Sequence, residues 1–219
     1  MILSKQEKNL GQDREQDKEQ EKLPLDNGND FSTAESDKFY MDIAINQAEQ
    51  AAKQGEVPVG AVIVYEDPSS QEKQIIAQAY NLRETKHDPC AHAEVIAMQR
   101  AAQALGYWRL HECILYVTLE PCIMCAGAII NARVKHIVYG CDDPKAGAVR
   151  SIYNILSDER LNHRTSFIAG LEAKRCAKLL KDFFRARRLE NKQKSKRQKQ
   201  NTYQVLKKNS LISIPNDEL

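Results

Sequence analysis

The sequence predicts a three-layer α/β/α domain built on a mixed sheet of about five strands. Three stretches carry that prediction. "CILYVTL" (113–119) has apolar residues on both faces of an extended chain, so it reads as a central, fully buried strand. A helical segment at 122–131 separates it from a second strand, "KHIVYG" (135–140), and such a strand–helix–strand unit implies parallel neighbours with a right-handed crossover. Helix-period apolar positions before and after this unit supply the covering layers.

Each element follows in order. Met41, Ala44, Ile45, Ala48, Ala51 and Ala52 recur at helical spacing, and Gly55 supplies a stop. "VGAVIVY" (59–65) is a buried strand, "EDPSSQEK" (66–73) a turn, and "QIIAQAY" (74–80) a second strand antiparallel to the first. A helix runs from about residue 91 to 105. The central strand, the 122–131 helix and the 135–140 strand come next, and "TSFIAG" (165–170) supplies a fifth strand. The last helix sets Cys176, Leu179, Leu180 and Phe183 on one stripe, with many Arg and Lys elsewhere. The domain is expected to span 37–190.

The flanks differ in composition. Residues 1–36 are rich in Gln, Glu, Asp and Lys and poor in apolar groups, so they cannot bury enough surface to offset their chain entropy and are predicted disordered. The basic tail, 191–219, reads the same way. Charge is unevenly placed: residues 1–35 hold nine acids against five bases, whereas 174–200 hold twelve bases against two acids. This asymmetry points to a polyanionic partner, with a solvated basic tail as the alternative. No run approaches the ~18 apolar residues of a membrane span, and the start has no apolar core of signal-peptide length. The expected location is cytoplasmic. Six cysteines in such a chain favour free thiols or metal ligands over disulfides.

The chemistry lies at two predicted helix starts. Cys122 and Cys125, three apart behind Pro121, share a helix face, so both sulfurs can meet one ion. The positive end of the helix favours thiolate. His92 can add a nitrogen from the start of the other helix, and three protein ligands suit zinc with one position open for water. Glu94 beside that water could take its proton and deliver it to a ring nitrogen and a leaving amine. A closed structural zinc, with Cys90 or Cys141 as fourth ligand, is the competing arrangement. Cys113 and Cys176 read as core residues, and His87, His111, His136 and His163 have no ligand spacing.

His-x-Glu followed by Pro-Cys-x-x-Cys is the signature of zinc-dependent nucleobase deaminases. With it, "GEVPVGAVIV", "HDPCAHAEVIAM", "LYVTLEPCIMCAGAII", "ARVKHIVYG", "KAGAV", "LNHR" and "LLKDFFRARR" resemble the bacterial-type tRNA-specific adenosine deaminases, of the cytidine-deaminase-like superfamily, over about 38–188. The resemblance implies conversion of adenosine to inosine at the first anticodon position of a tRNA, by a homodimer with one Zn2+ per subunit. It implies His92, Cys122 and Cys125 as zinc ligands and Glu94 as proton shuttle. It further implies Asn81 as a hydrogen-bond partner of the purine and Val57 packed on the flipped base. The Ala93 N–H would help hold the ring, Asp143 would lie near a flanking ribose-phosphate, and Phe184 and Arg187 would touch the anticodon stem-loop. Arg150, in "GAVRS", replaces a small residue of the family, which would add a phosphate contact or alter substrate choice. A deaminase of free guanine or cytosine and a non-enzymatic RNA-binding subunit are the alternatives. The basic last helix argues against the first, and Glu94 with a complete ligand set argues against the second.

Overall fold

The computed structural model describes residues 33–210. Helix α1 (Thr33–Lys53) leads into strands β1 (Gly60–Glu66) and β2 (Lys73–Tyr80). A single turn, α2 (Arg83–Lys86), precedes α3 (Ala93–Leu105), β3 (Cys113–Leu119), α4 (Ile123–Ala132), β4 (His136–Cys141), β5 (Ser166–Ala169) and α5 (Ala173–Ser210). The five strands form one sheet in the order β2-β1-β3-β4-β5. β1 is antiparallel to β2 and β3, while β3, β4 and β5 run parallel. The expected mixed sheet, the antiparallel first pair and the parallel 113–140 unit are all present.

Two apolar cores flank the sheet. Alternation along β1 sends Ala61 and Ile63 to one face and Val62 and Val64 to the other. β3 divides its residues likewise, Leu115 and Val117 facing α3 and α4, and Ile114 and Tyr116 facing α1 and α5. Buried on both faces, β3 is the middle strand. Gly60 lets α1 lie close on the sheet, because a Cβ there would overlap the Ala44 carbonyl and the Ala48 N–H. The Tyr116 hydroxyl donates to Asp37 across 2.7 Å, and Arg175 pairs with Asp42, so α1 is tied to β3 and to α5.

Several expectations need correction. α3 starts two residues later than expected, with His92 as its N-cap, and α4 starts at Ile123 with Cys122 as its N-cap. Pro121 therefore lies just before the cap. The largest difference concerns the basic tail. Between 191 and 210 the chain continues α5 without a break, where a loose segment was expected. From Ala173 to Ser210 there is no Gly or Pro, and Lys, Arg, Gln and Leu dominate, all good helix formers. Residues 1–32 of the N-terminal extension, and 211–219, lie outside the described residues. Among the described residues no helix is long and apolar enough to cross a membrane.

Candidate active site

Chain topology brings the starts of α3 and α4 together at one end of the sheet. β3 ends at Leu119, and Glu120 and Pro121 lead directly to Cys122. β2 ends at Tyr80, next to Asn81, whose Oδ1 accepts the Ala93 N–H at 2.9 Å. That bond seats the N-terminus of α3 against the end of β2. His92 Nδ1 then lies 3.4 Å from Cys125 Sγ and 3.8 Å from Cys122 Sγ. The three donor atoms all fall within 4.8 Å of one another. Tetrahedral zinc with Zn–S ~2.3 Å and Zn–N ~2.0 Å sets donors roughly 3.5–3.8 Å apart, so the donor set and its spacing fit that ion.

The cluster holds three donors among the described residues, and the fourth ligand of a closed site is not assembled. Cys141 Sγ donates to the Thr118 carbonyl at 3.6 Å, and Cys90 is exposed outside the group. Cys113 and Cys176 are buried core residues, as expected. The remaining imidazoles serve elsewhere: His136 Nδ1 meets Ser166 Oγ, His163 meets the Val134 carbonyl, His111 faces Glu112, and His87 caps α2.

Electrostatics separate the two thiols. The hydrogen bond from Cys125, with help from His92, holds Cys122 far below the ordinary thiol range, at about 3, against the opposing effect of burial. Cys125 is pushed up by that same hydrogen bond and by burial. His92 is raised by its hydrogen bond to Cys122. Both helix N-termini add positive potential here.

Glu94 is 4% exposed, and its Oε2 is buried with no hydrogen-bond partner. Burial pushes its carboxyl up, opposed by its own backbone N–H and by His92. The Cys125 side chain is a further, smaller influence holding it down. An unsatisfied buried carboxylate oxygen costs on the order of 1–3 kcal/mol, so the fold sustains a penalty to keep this group in place.

The other expected site residues differ in their surroundings. Asn81 is buried and Val57 half-buried against the core. The Ala93 N–H, expected to be available to a ring, is taken up by Asn81. Asp143 Oδ1 accepts the N–H groups of Lys145 and Ala146, closing the 143–147 turn. Phe184 is 45% exposed on α5, with Arg187 stacked 5.7 Å over neighbouring Phe183. The Arg150 guanidinium is bidentate on Asp142, with two contacts of 3.0 Å.

Two buried carboxylates were missed. Glu120, 2% exposed, accepts the N–H groups of Asp143, Val149, Arg150 and Ser151 and the Ser151 hydroxyl. It fastens the 143–151 loop to the start of α4, helped by the Ala148 N–H on the Pro121 carbonyl at 2.9 Å. A Cβ on Gly147 would collide with the Glu120 carboxylate. Glu56, also buried, accepts the N–H groups of Glu84 and Thr85 and fixes the α2 turn. The only sequence signal was an acid at the end of an apolar strand, or beside one.

A sheet of this order, with a His/Cys/Cys cluster and a buried glutamate at two helix starts, defines a deaminase-type centre. The family model of MafB19-like deaminases matches residues 35–188. The chain is 45% identical to the tRNA-specific adenosine deaminase of Bacillus subtilis (strain 168) over 156 residues, 71% of this chain and 93% of that one. It is 41% identical to the enzyme of that name from Haemophilus influenzae over 159 residues, 73% of this chain and 89% of that one. A structure solved in a study of A-to-I editing by tRNA:A34 deaminases at the wobble position of transfer RNA superimposes with a TM-score of 0.60. That structure is 39% identical, and the match covers 65% of this chain and 99% of that one. A guanine deaminase from Nitrosomonas europaea, at 20% identity and a TM-score of 0.57, covering 67% of this chain and 83% of that one, shares the fold. The chain belongs to the MafB19-like deaminases and, among them, to the family of tRNA-specific adenosine deaminases.

Proposed function

We propose that the protein hydrolyses adenosine to inosine at the wobble position of a tRNA, releasing ammonia. The observation that carries this reading is Glu94: a buried carboxylate with one free oxygen beside a three-donor cluster suited to zinc. His92, Cys122 and Cys125 would hold one Zn2+, which supplies the Lewis acidity that makes water a nucleophile near neutral pH. Glu94 receives the proton lost by the attacking water. It delivers that proton to the purine ring nitrogen and then carries the second proton of the same water, from the hydroxyl now on the ring carbon, to the departing amine. The water oxygen replaces the amine nitrogen on the ring carbon, so adenosine and water give inosine and ammonia.

The remaining residues bind and orient. Asn81 hydrogen-bonds the purine, and Val57 packs on its face. The Ala93 N–H reaches the ring once Asn81 yields it. Asp143 borders the flanking ribose-phosphate. Phe184 and Arg187, exposed on α5, meet the anticodon loop, whose unstacked bases are splayed for recognition more cheaply than those of a duplex. The reading includes a homodimer, supported by the half-exposed apolar side chains Ile123, Ile152 and Tyr153 near the site, and action in the cytoplasm.

The test is incubation of purified protein with unmodified tRNA, followed by sequencing for A-to-I change. Inosine confined to the first anticodon position is expected. Release of ammonia from free guanine or cytosine, with tRNA unchanged, would overturn the assignment.

A further inference from the structure

We propose that α5 carries a second RNA-contact surface, a continuous line of cations that grips the phosphates of the substrate's stem. The proposal rests on tRNA being the substrate. Lys174, Lys178, Lys181, Arg185, Arg188, Lys192, Lys196 and Lys199 follow one another at steps of three or four residues. At 3.6 residues per turn these eight lie within about 40° of a single line along the helix. All eight are exposed. The opposite face holds Cys176, Leu179 and Leu180 against the sheet, so the line points outward. With a rise of ~1.5 Å per residue it extends roughly 38 Å.

Within the chain this arrangement is unfavourable. Like charges three and four residues apart destabilise an isolated helix by about 0.2–0.5 kcal/mol per pair. Asp182 relieves Lys178 and Arg185, at 2.6 Å and 3.1 Å. From Arg188 onward no ion pair on the line exists among the described residues. The repulsion therefore calls for an external polyanion. Charge bookkeeping agrees: between 36 and 188 twenty bases meet eighteen acids, whereas between 189 and 210 seven bases meet one acid. The region that matches the deaminase family stops at 188. The outer half of the line thus lies beyond the part that accounts for catalysis, and a duplex stem offers the phosphate spacing that a straight row of Lys can follow.

The test uses the full chain with Lys192, Lys196 and Lys199 all changed to Gln, and fluorescence anisotropy with a full-length tRNA over a KCl series. A plot of log Kd against log salt flattened by about two to three relative to the native chain is expected, since each lost phosphate contact removes about one. Circular dichroism checks that α5 persists. The control is Lys194→Gln with Arg197→Gln, on the far side of the helix, which should flatten the plot by less than one. An unchanged slope in the triple variant, or equal flattening per charge in the control, overturns the proposal. So does an unchanged slope together with tighter tRNA binding after removal of residues 1–32, which would assign the line to the chain's own acidic head. Failure of the native protein to make inosine in tRNA would defeat the substrate assignment, a result independent of the slope comparison.

Discussion

Glu94 illustrates how a single residue sets function against stability. Its Oε2 is buried without a partner, a condition that costs on the order of 1–3 kcal/mol. Glu94→Gln is expected to lower turnover by on the order of 10²–10⁴, the contribution of a positioned acid–base group. A variant that keeps its turnover would contradict the assignment. Glu56 behaves in the opposite sense. Burial raises its carboxyl, but the Thr85 N–H and hydroxyl, the Glu84 N–H and the nearby Arg83 charge outweigh it and leave it lowered. A carboxyl lowered on folding stabilises above the ordinary glutamate value of ~4.3 and loses that contribution as pH falls through its folded value. Stability measured by urea between pH 6 and 3 should therefore fall less steeply in Glu56→Gln than in the native chain. Glu120→Ala, which strands four N–H groups, should lower stability by about 3 kcal/mol in the same assay. His92, Glu94, Cys122 and Cys125 were legible because ligand chemistry fixes their spacing. Glu56 and Glu120 were not, because their partners lie 23–31 residues away in segments that only the tertiary fold brings near.

At the level of elements, the strands were readable because two-sided burial leaves an apolar run that few other structures need. Helix starts were placed only to within two residues, since Ala91 and Cys122 are compatible with either side of the boundary. The length of α5 escaped because its outer turns bury nothing, and apolar periodicity is what marks a helix in sequence. Propensity without Gly or Pro carries it instead. Ending the chain at residue 190 should lower the far-UV helical signal yet change unfolding free energy by less than about 0.5 kcal/mol, as for other exposed sites. A large loss of stability would show that the outer turns dock somewhere. Gly60→Ala tests the α1–β1 contact: overpacking against α1 backbone should cost about 1–3 kcal/mol.

For the molecule as a whole, the parallel β3–β4 pair and the antiparallel β1–β2 pair matter because their ends deliver two helix N-termini to one point. One supplies His92 and Glu94, the other Cys122 and Cys125. Thiolate-favouring potential, a His/Cys/Cys donor cluster that could hold a metal ion and the carboxyl proposed as proton carrier then coincide without any special loop. The measurement that bears most directly on this is a paired assay on native protein and Glu94→Gln, reading zinc per chain by elemental analysis and inosine in tRNA. One zinc per chain and bound tRNA in both, with inosine formed by the native chain alone, is the predicted result. Metal absent from freshly purified native protein, or inosine formed equally by the variant, would contradict it.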